Sequence, residues 1–294
     1  MTKNSSATPS ISPVRLAVES LRRLFADEAV PLAGNIAFRM LFSIFPFLIF
    51  LTALAGFFGT EEQSRAAVDF IIGVVPPAVV QPLASEIRSI LTVPRADLLS
   101  LAALLTIWSA MAGVDSVRVG LNRAYDLKEQ RSGWLIYLID ILFVVGAAAL
   151  FLAFSVLLVL LPLALRYAAT HGVEAVARFA ELQQMRIPLA LLLIFAGVFA
   201  AHVALPARRL PLRRLLPGVL VTVIIWGVMA LGFSWWLLEF NSFASTYASL
   251  SGLFAAMFFL YLSALVLILG GEVNRVIDLL QTTDTVPEKP DKRE

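Results

Sequence analysis

Polar side chains that interrupt long apolar stretches are the first sign of chemistry in this 294-residue sequence. Counting the apolar runs in chain order, Arg39 lies seven residues into the first and Asp140 six residues into the third. Asp115 ends the second run, and Glu272 and Asn274 end the sixth. Ionisable groups of both signs at similar depth predict a shared polar pocket, with Arg39 balanced by Asp140 or Glu272. The simpler alternative is that Arg39 extends to the headgroups while the acids mark helix ends.

Ser43 and Pro46 form a second feature of the first run. Proline has no backbone N–H, so inside a helix it leaves a carbonyl free and usually kinks the helix. Ser43 is close enough to donate its hydroxyl to a freed carbonyl, as hydroxyls do in membrane helices. The pair predicts either a hinge that faces a cavity or a static kink.

Patterns typical of catalysis and metal binding do not occur in the sequence. The chain has no cysteine and only two histidines, His171 and His202. It contains no H-E-x-x-H zinc motif, no G-x-x-x-x-G-K-[ST] phosphate loop and no G-x-S-x-G nucleophile turn. We therefore expect no catalytic residue, no cofactor and no metal ion, and a protein that is not an enzyme.

Composition indicates that lipid is the solvent for much of the chain. Apolar residues make up 59% of it and charged residues only 15%, and the mean hydropathy is +0.85. Soluble domains carry about 25% charged residues, and a soluble globule of this size could not bury so much apolar surface. The net charge of +2 does not indicate a nucleic-acid partner. These features predict an integral membrane protein with membrane lipids as partners.

Six apolar runs approach the roughly 20 residues that cross a bilayer as a helix. They are residues 32–59, 98–114, 134–165, 187–205, 217–238 and 253–271. Because backbone in lipid must satisfy its own hydrogen bonds, each run is expected to be a helix. The third run is longer than one crossing requires, so it tilts or lies along the interface past Pro162. The predicted fold class is an all-α integral membrane protein with six transmembrane helices.

Lysine and arginine are distributed unevenly between the segments that connect the runs. Sixteen lie on the side that holds both termini and six lie on the other side, with Arg39 inside a run. The positive-inside rule then places both termini in the cytoplasm and the polar pocket in the cytoplasmic third of the bundle. The first run is too long for the core of a signal peptide, so the chain is expected to be an uncleaved multi-pass protein.

The two longer segments on the outer side carry helical patterns of their own. In residues 61–93, apolar residues recur every three or four positions on both sides of Pro76-Pro77, which predicts a helical hairpin. Residues 166–186 repeat the pattern more weakly. We expect additional amphipathic helices on the outer (periplasmic) interface; the alternative is a cap packed on the helix ends. The chain thus divides into a cytoplasmic tail or interfacial helix (1–30), a six-helix transmembrane domain (31–275) and a cytoplasmic tail (276–294).

Several segments together resemble the YihY/BrkB family of bacterial inner-membrane proteins. The matching stretches are LAGNIAFRMLFSIFPFL (32–48), IWSAMAGVDSVRVGLNRAYDLKEQRSGW (107–134), LPARRLPLRRLLPGVL (205–220) and TYASLSGLFAAMFFLYLSALVLILGGEVN (246–274). Within them, the specific elements are the S-x-x-P of the first run, the N-x-A-Y after the second, the P-G that enters the fifth and the G-x-E-x-N that ends the sixth. The resemblance covers most of the chain in the expected order.

The resemblance implies a six-helix protein of the bacterial inner (cytoplasmic) membrane. It also implies a family once confused with a ribonuclease, with virulence-factor and transporter names in use and a poorly defined biochemical function. Relatives usually have an aromatic or small residue where this chain has Arg39, so a charge at this position of the pocket belongs to a subgroup.

The favoured function is a transporter or flippase of an amphiphilic, lipid-like substrate. The polar pocket, the proline in the first span and the absence of catalytic motifs all point to it, because an anionic headgroup could meet Arg39 while its tails stay in lipid. Two alternatives remain: a channel for a small solute, and an envelope assembly or structural partner that moves nothing. The many Ala, Gly and Ser residues in the spans favour self-association, with a stoichiometry that the sequence does not fix.

Overall fold

The computed structural model describes residues 12–58, 96–162, 176–240 and 248–283, and the regular structure in these ranges is helical. A π-helical turn, Val156–Leu160, follows the fourth helix. The helices are α1 (Pro13–Ala26), α2 (Ala29–Phe58), α3 (Ala96–Ala124), α4 (Gly133–Ser155), α5 (Val176–Ala204), α6 (Leu212–Phe240) and α7 (Ala248–Thr283). Six of them, α2 to α7, are long and apolar enough to cross a membrane, as the sequence predicts.

The helices extend beyond the apolar runs at one end of the bundle. The second run was expected to end at Val114 and to be followed by a loop, but α3 continues to Ala124. Val117, Leu121 and Ala124 are buried at helical spacing, so an amphipathic pattern carries the helix past the apolar region. In the same way α7 runs to Thr283, twelve residues beyond the predicted end of its span.

The segments predicted to lie on the outer side are only partly described. The hairpin predicted for residues 61–93 lies outside the described residues, as do residues 166–175. From Val176 onward, the second outer segment continues directly into α5, so this part is not a separate short helix. The third run forms α4 and its π turn as far as Pro162; the remainder of that run lies outside the described residues.

Helices α2, α3 and α7 form the centre of the bundle. Helix α6 packs on α7, α5 packs on α6, and α4 lies at the edge against α3 and α5. Small residues allow the central helices to approach closely: a Cβ added at Gly120 would lie 3.3 Å from both Ile36 of α2 and Ile268 of α7. The short helix α1 packs mainly on α7 and joins α2 through Asp27 and Glu28.

The connections 27–28, 125–132 and 205–211 meet at one end of the bundle, which we call the polar end. Arg131 donates to the carbonyl of Leu205 at 2.7 Å, and the N–H of Ala207 donates to Asn122 at 2.7 Å. Helix α3 ends there with Asp126 at φ 53°. The N–H of Leu127 reaches back to the carbonyl of Asn122 at 2.8 Å, which satisfies the last carbonyls of the helix and turns the chain toward α4.

Candidate functional site

Two groups of polar side chains lie near the polar end. The first, which we call the charge ladder, alternates in sign through Arg39, Asp115, Arg118, Glu129 and Arg131. The second, which we call the amide network, links Asn274 to Tyr125 and His202. The sequence predicted one pocket; the described residues form these two groups, one centred on Asp115 and Arg118 of α3 and the other on Asn274 of α7.

Arg39 begins the charge ladder on α2. Its guanidinium donates to Asn35 on the same helix at 3.2 Å and to the carbonyl of Ala112 on α3 at 3.1 Å. The acid that faces it is Asp115, at 4.0 Å, where the sequence analysis expected Asp140 or Glu272. The Arg39 side chain keeps 40% of its surface exposed, so it remains open to a ligand.

Exposed aromatic rings flank Arg39. Phe38 and Phe42 are both exposed, and their rings stack with centroids 6.1 Å apart. Residues three or four positions apart share a helix face, so these rings, Asn35 and Arg39 lie along one side of α2. A cation and an apolar surface therefore stand side by side within a membrane-length helix.

The middle of the charge ladder is tightly paired. Arg118 contacts Asp115 one turn earlier and donates to Glu129 at 2.7 Å. Both carboxylate oxygens of Glu129 also accept hydrogen bonds from the Arg131 side chain, each at 2.8 Å. These bonds from Arg131, with those from Arg118, hold the pKa of Glu129 far below its ordinary range. The ladder thus connects α2 and α3 to the 125–132 connection.

Asp140 of α4 lies beside the charge ladder. It is buried, and Oδ1 of its carboxylate has no hydrogen-bond partner among the described residues. The charges that act on it include those of Arg118 and Asp115. Three of the predicted site residues are thus linked: Asp115 faces Arg39 at 4.0 Å, and its charge also acts on Asp140.

The amide network has a fixed orientation because two of its partners are backbone groups. The Asn274 oxygen accepts from the N–H of Gly218 at 2.7 Å, and its nitrogen donates to the carbonyl of Leu215 at 3.1 Å. The same nitrogen donates to the hydroxyl of Tyr125 at 2.9 Å. Tyr125 is then left to donate to Nδ1 of His202, 2.7 Å away. Burial raises the pKa of Tyr125, so the hydroxyl keeps the proton that it donates.

Glu272 lies in α7 near the amide network but faces another direction. It has no exposed surface, and neither carboxylate oxygen has a hydrogen-bond partner among the described residues. The charges acting on it belong to Asp27, Arg23, Arg275 and Arg123, around the connection of α1 to α2. The described residues give it no contact with Arg39.

Pro46 and Ser43 lie within α2, which stays helical through both positions from Ala29 to Phe58. Pro46 deprives the carbonyl of Phe42 of its partner, whereas the Ser43 hydroxyl donates to the carbonyl of Met40 at 2.7 Å. The serine was expected to satisfy the carbonyl that proline frees, and it bonds the neighbouring turn instead. Within the described ranges, no group of three or more His, Asp or Glu side chains could hold a metal ion.

Several members of the two groups were not among the predicted site residues. Tyr125, Gly218 and Gly270 come from three of the quoted motifs, N-x-A-Y, P-G and G-x-E-x-N, and they meet the predicted residue Asn274 where α6 crosses α7. That coincidence of separate motifs was the available signal. His202 could not be found in this way, because an isolated histidine in an apolar helix belongs to no sequence motif. Glu129 stood in a segment predicted to be a loop.

Comparisons with known proteins agree with this architecture. The chain is 28% identical over 271 residues to YfkH of Bacillus subtilis, a protein named as ribonuclease-like, covering 88% of this chain and 94% of the relative. It is 24% identical over 258 residues to a protein of Xanthomonas axonopodis pv. citri named UPF0761 membrane protein. That match covers 86% of this chain and 58% of the relative's length.

No solved structure matches the chain. A family model described as "Virulence factor BrkB" matches residues 20–294, which include every transmembrane-length helix of the structure. The chain is therefore a membrane protein of the BrkB family.

Proposed function

We propose that this protein transports an amphiphilic, lipid-like anion across the bacterial inner membrane, with both termini in the cytoplasm and without enzymatic activity. The observation that carries the proposal is the half-exposed guanidinium of Arg39 in a membrane-length helix beside the exposed rings of Phe38 and Phe42. At the centre of a membrane helix a cation costs roughly 2.5–3.5 kcal/mol on insertion scales, and Arg39, in the cytoplasmic third, bears part of this cost. A function that uses the charge accounts for its presence.

The contacts of Arg39 hold its side chain ready for a ligand. Bonds to Asn35 and to the Ala112 carbonyl fix the guanidinium on the surface between α2 and α3. Its facing acid, Asp115, is already bound closely by Arg118, and the 4.0 Å distance to Arg39 is long for an ion pair. The Arg39 charge therefore keeps capacity for a phosphate or carboxylate headgroup, which arginine binds with two parallel hydrogen bonds.

The surroundings suit the apolar part of an amphiphile. Acyl chains would lie along Phe38 and Phe42, on the side of α2 that carries Arg39. On the other side of Asp115, the peripheral helix α4 carries the buried carboxylate of Asp140. An anionic headgroup would be attracted by Arg39 and repelled by Asp140, so the two residues would together limit how far it advances between α2 and α4.

The test is transbilayer movement of a headgroup-labelled phospholipid in proteoliposomes at matched protein density. Arg39→Ala should slow the movement roughly tenfold, because a hydrogen bond to a charged group contributes about 1.5–3 kcal/mol. Arg39→Lys should retain part of the rate, since the charge remains while the planar fork is lost. Arg208→Ala, which removes an exposed arginine from the 205–211 connection, is the matched control and should behave as the wild type.

Equal rates in the wild type and Arg39→Ala would contradict the proposal, because they would show movement that bypasses the site. Absence of movement in every sample would favour the non-transporting envelope partner or the small-solute channel. Swelling of the same vesicles in small solutes distinguishes those two.

A further inference from the structure

Helix α1 has an apolar face that the rest of the described protein leaves open. Its buried residues, Ser20 and Leu24, face the bundle, where Leu24 joins the hydrophobic core. Four large apolar side chains on another face keep between 47% and 71% of their surface exposed: Val14, Val18, Leu21 and Phe25. Their spacing of four, three and four residues aligns them as one stripe. Helix α1 therefore has two apolar faces, one packed on the bundle and one directed away from it.

Cations accompany the stripe. Arg15 and Arg22 are two turns apart and follow one edge of it. Arg22 lies 3.9 Å from the carboxylate of Glu19 and still keeps 80% of its side chain exposed. The adjoining parts of the polar end add Arg208, Arg209 and Arg213, all exposed. The exposed acids at this end, among the described residues, are Glu28 and Asp126. Exposed arginines thus outnumber exposed acids at this end of the described protein.

The position of α1 determines what can cover its open face. Only Asp27 and Glu28 separate it from α2, and the membrane-length part of α2 begins at Ala29. The four residue steps from Phe25 to Ala29 span at most about 14 Å when extended, so Phe25 lies within that distance of the point at which the chain enters the bilayer. Val30 and Phe38 on α2 are exposed apolar side chains as well. The stripe is therefore followed, along the chain, by a membrane-length helix that also exposes apolar side chains.

We propose that α1 is a lipid-binding helix that lies in the interface of an anionic membrane leaflet. The stripe of Val14, Val18, Leu21 and Phe25 inserts at the boundary of headgroups and acyl chains. Arg15 and Arg22 contact lipid phosphates along its edge, as arginines on the polar face of interfacial helices do. The proposal requires that the protein span a membrane and is independent of what it transports.

The experiment uses the full-length chain, which has no cysteine, so one label site is added at a time. Val18→Cys places a fluorophore on the stripe, and Ala26→Cys places one on an exposed position outside it. Each is reconstituted in vesicles of phosphatidylcholine alone or with phosphatidylglycerol. Quenching is measured with a water-soluble quencher and with a lipid-attached quencher.

In vesicles with phosphatidylglycerol, the label at position 18 should be quenched several-fold less by the aqueous quencher than the label at position 26, and several-fold more by the lipid-attached one. Adding Arg15→Gln and Arg22→Gln to Val18→Cys should reverse much of this difference. Equal aqueous quenching at the two positions would overturn the proposal. Protection of position 18 from both quenchers would also overturn it, because the stripe would then be covered by protein, such as a second copy of this chain.

Discussion

At the scale of single residues, the side chain of Asn274 joins α7 to α6 and to the 125–132 connection. Its amide binds the N–H of Gly218, the carbonyl of Leu215 and the hydroxyl of Tyr125, all in buried surroundings. Asn274→Ala should lower the free energy of unfolding by about 3 kcal/mol, because it leaves buried backbone groups unpaired. Thermal unfolding in detergent measures the change. Asn35→Ala, at an exposed position, is the control and should cost less than about 0.5 kcal/mol; equal effects of the two variants would contradict the structural role of the network.

Glu129 predicts a pH dependence. Its pKa is lower in the folded chain than in the unfolded chain because Arg131 and Arg118 bind the carboxylate. The stability that it contributes is therefore complete above the unfolded pKa of about 4.3 and is lost as the pH falls through the lower, folded pKa. Glu129→Gln should cost about 2 kcal/mol at neutral pH, and this difference from the wild type should shrink below about pH 4.

Unfolding temperatures measured from neutral to acidic pH test this expectation. Glu28→Gln, which changes an exposed acid at the polar end, is the control and should leave the difference from the wild type constant. If the unfolding temperature of Glu129→Gln differs from that of the wild type by the same amount at every acidic pH, the ion pairs of Glu129 contribute no measurable stability.

The positions of the polar residues can be predicted from the sequence more readily than their pairing. Arg39, Asp115 and Asp140 stand out because charges are costly in apolar runs, and all three lie around the same part of α3. Which acid faces Arg39 depends on the register between α2 and α3, which pack tightly where a Cβ added at Gly120 would lie 3.3 Å from Ile36. No spacing along one chain contains that register, so the pairing with Asp140 or Glu272 was wrong.

At the scale of elements, the crossing of α6 and α7 depends on two glycines. A Cβ added at Gly218 would overlap the carbonyl oxygen of Gly270 and lie 2.6 Å from Asn274. A Cβ added at Gly270 would overlap the Thr222 hydroxyl. The backbones of α6 and α7 are therefore too close at this crossing for a side chain at either glycine. This approach places the Asn274 oxygen within hydrogen-bond distance of the Gly218 N–H.

Gly218→Ala should destabilise the protein by about 3 kcal/mol or prevent folding, because overpacking a close backbone contact forces the helices apart. The same helix offers two controls: nothing lies within 4 Å of a Cβ added at Gly227 or Gly232. Alanine at either position should be neutral or stabilise by up to about 1 kcal/mol through its higher helix propensity. Folded yield and thermal unfolding in detergent compare the three variants, and equal behaviour of all three would contradict the close crossing.

The number and type of the transmembrane-length helices could be predicted because the bilayer thickness fixes the length of an apolar helix. Their ends could not. The apolar run ends at Val114, which predicts a loop over residues 115–124. Helix α3 nevertheless continues to Ala124, because Val117, Leu121 and Ala124 pack in the hydrophobic core. For residues 1–30 the sequence predicts only a tail or an interfacial helix, because the buried face of α1 is defined by its packing on α7.

At the scale of the whole molecule, the excess of lysine and arginine on the side of the termini makes the orientation testable. Sixteen of these residues lie on that side and six on the other, so both termini should be cytoplasmic. A fluorescent protein fused after residue 294 should be bright, and alkaline phosphatase fused there should be inactive. An active phosphatase fusion would show the opposite orientation, with the polar end and α1 at the outer leaflet.

The central claim is that Arg39 binds anionic headgroups selectively at the surface between α2 and α3. The most direct measurement is the ratio of transbilayer rates for a labelled anionic phospholipid and a labelled zwitterionic phospholipid with the same acyl chains. The wild type should favour the anionic lipid, and Arg39→Gln, which keeps hydrogen-bonding capacity without charge, should bring the ratio close to one. A ratio that is the same in the wild type and in Arg39→Gln would contradict the claim.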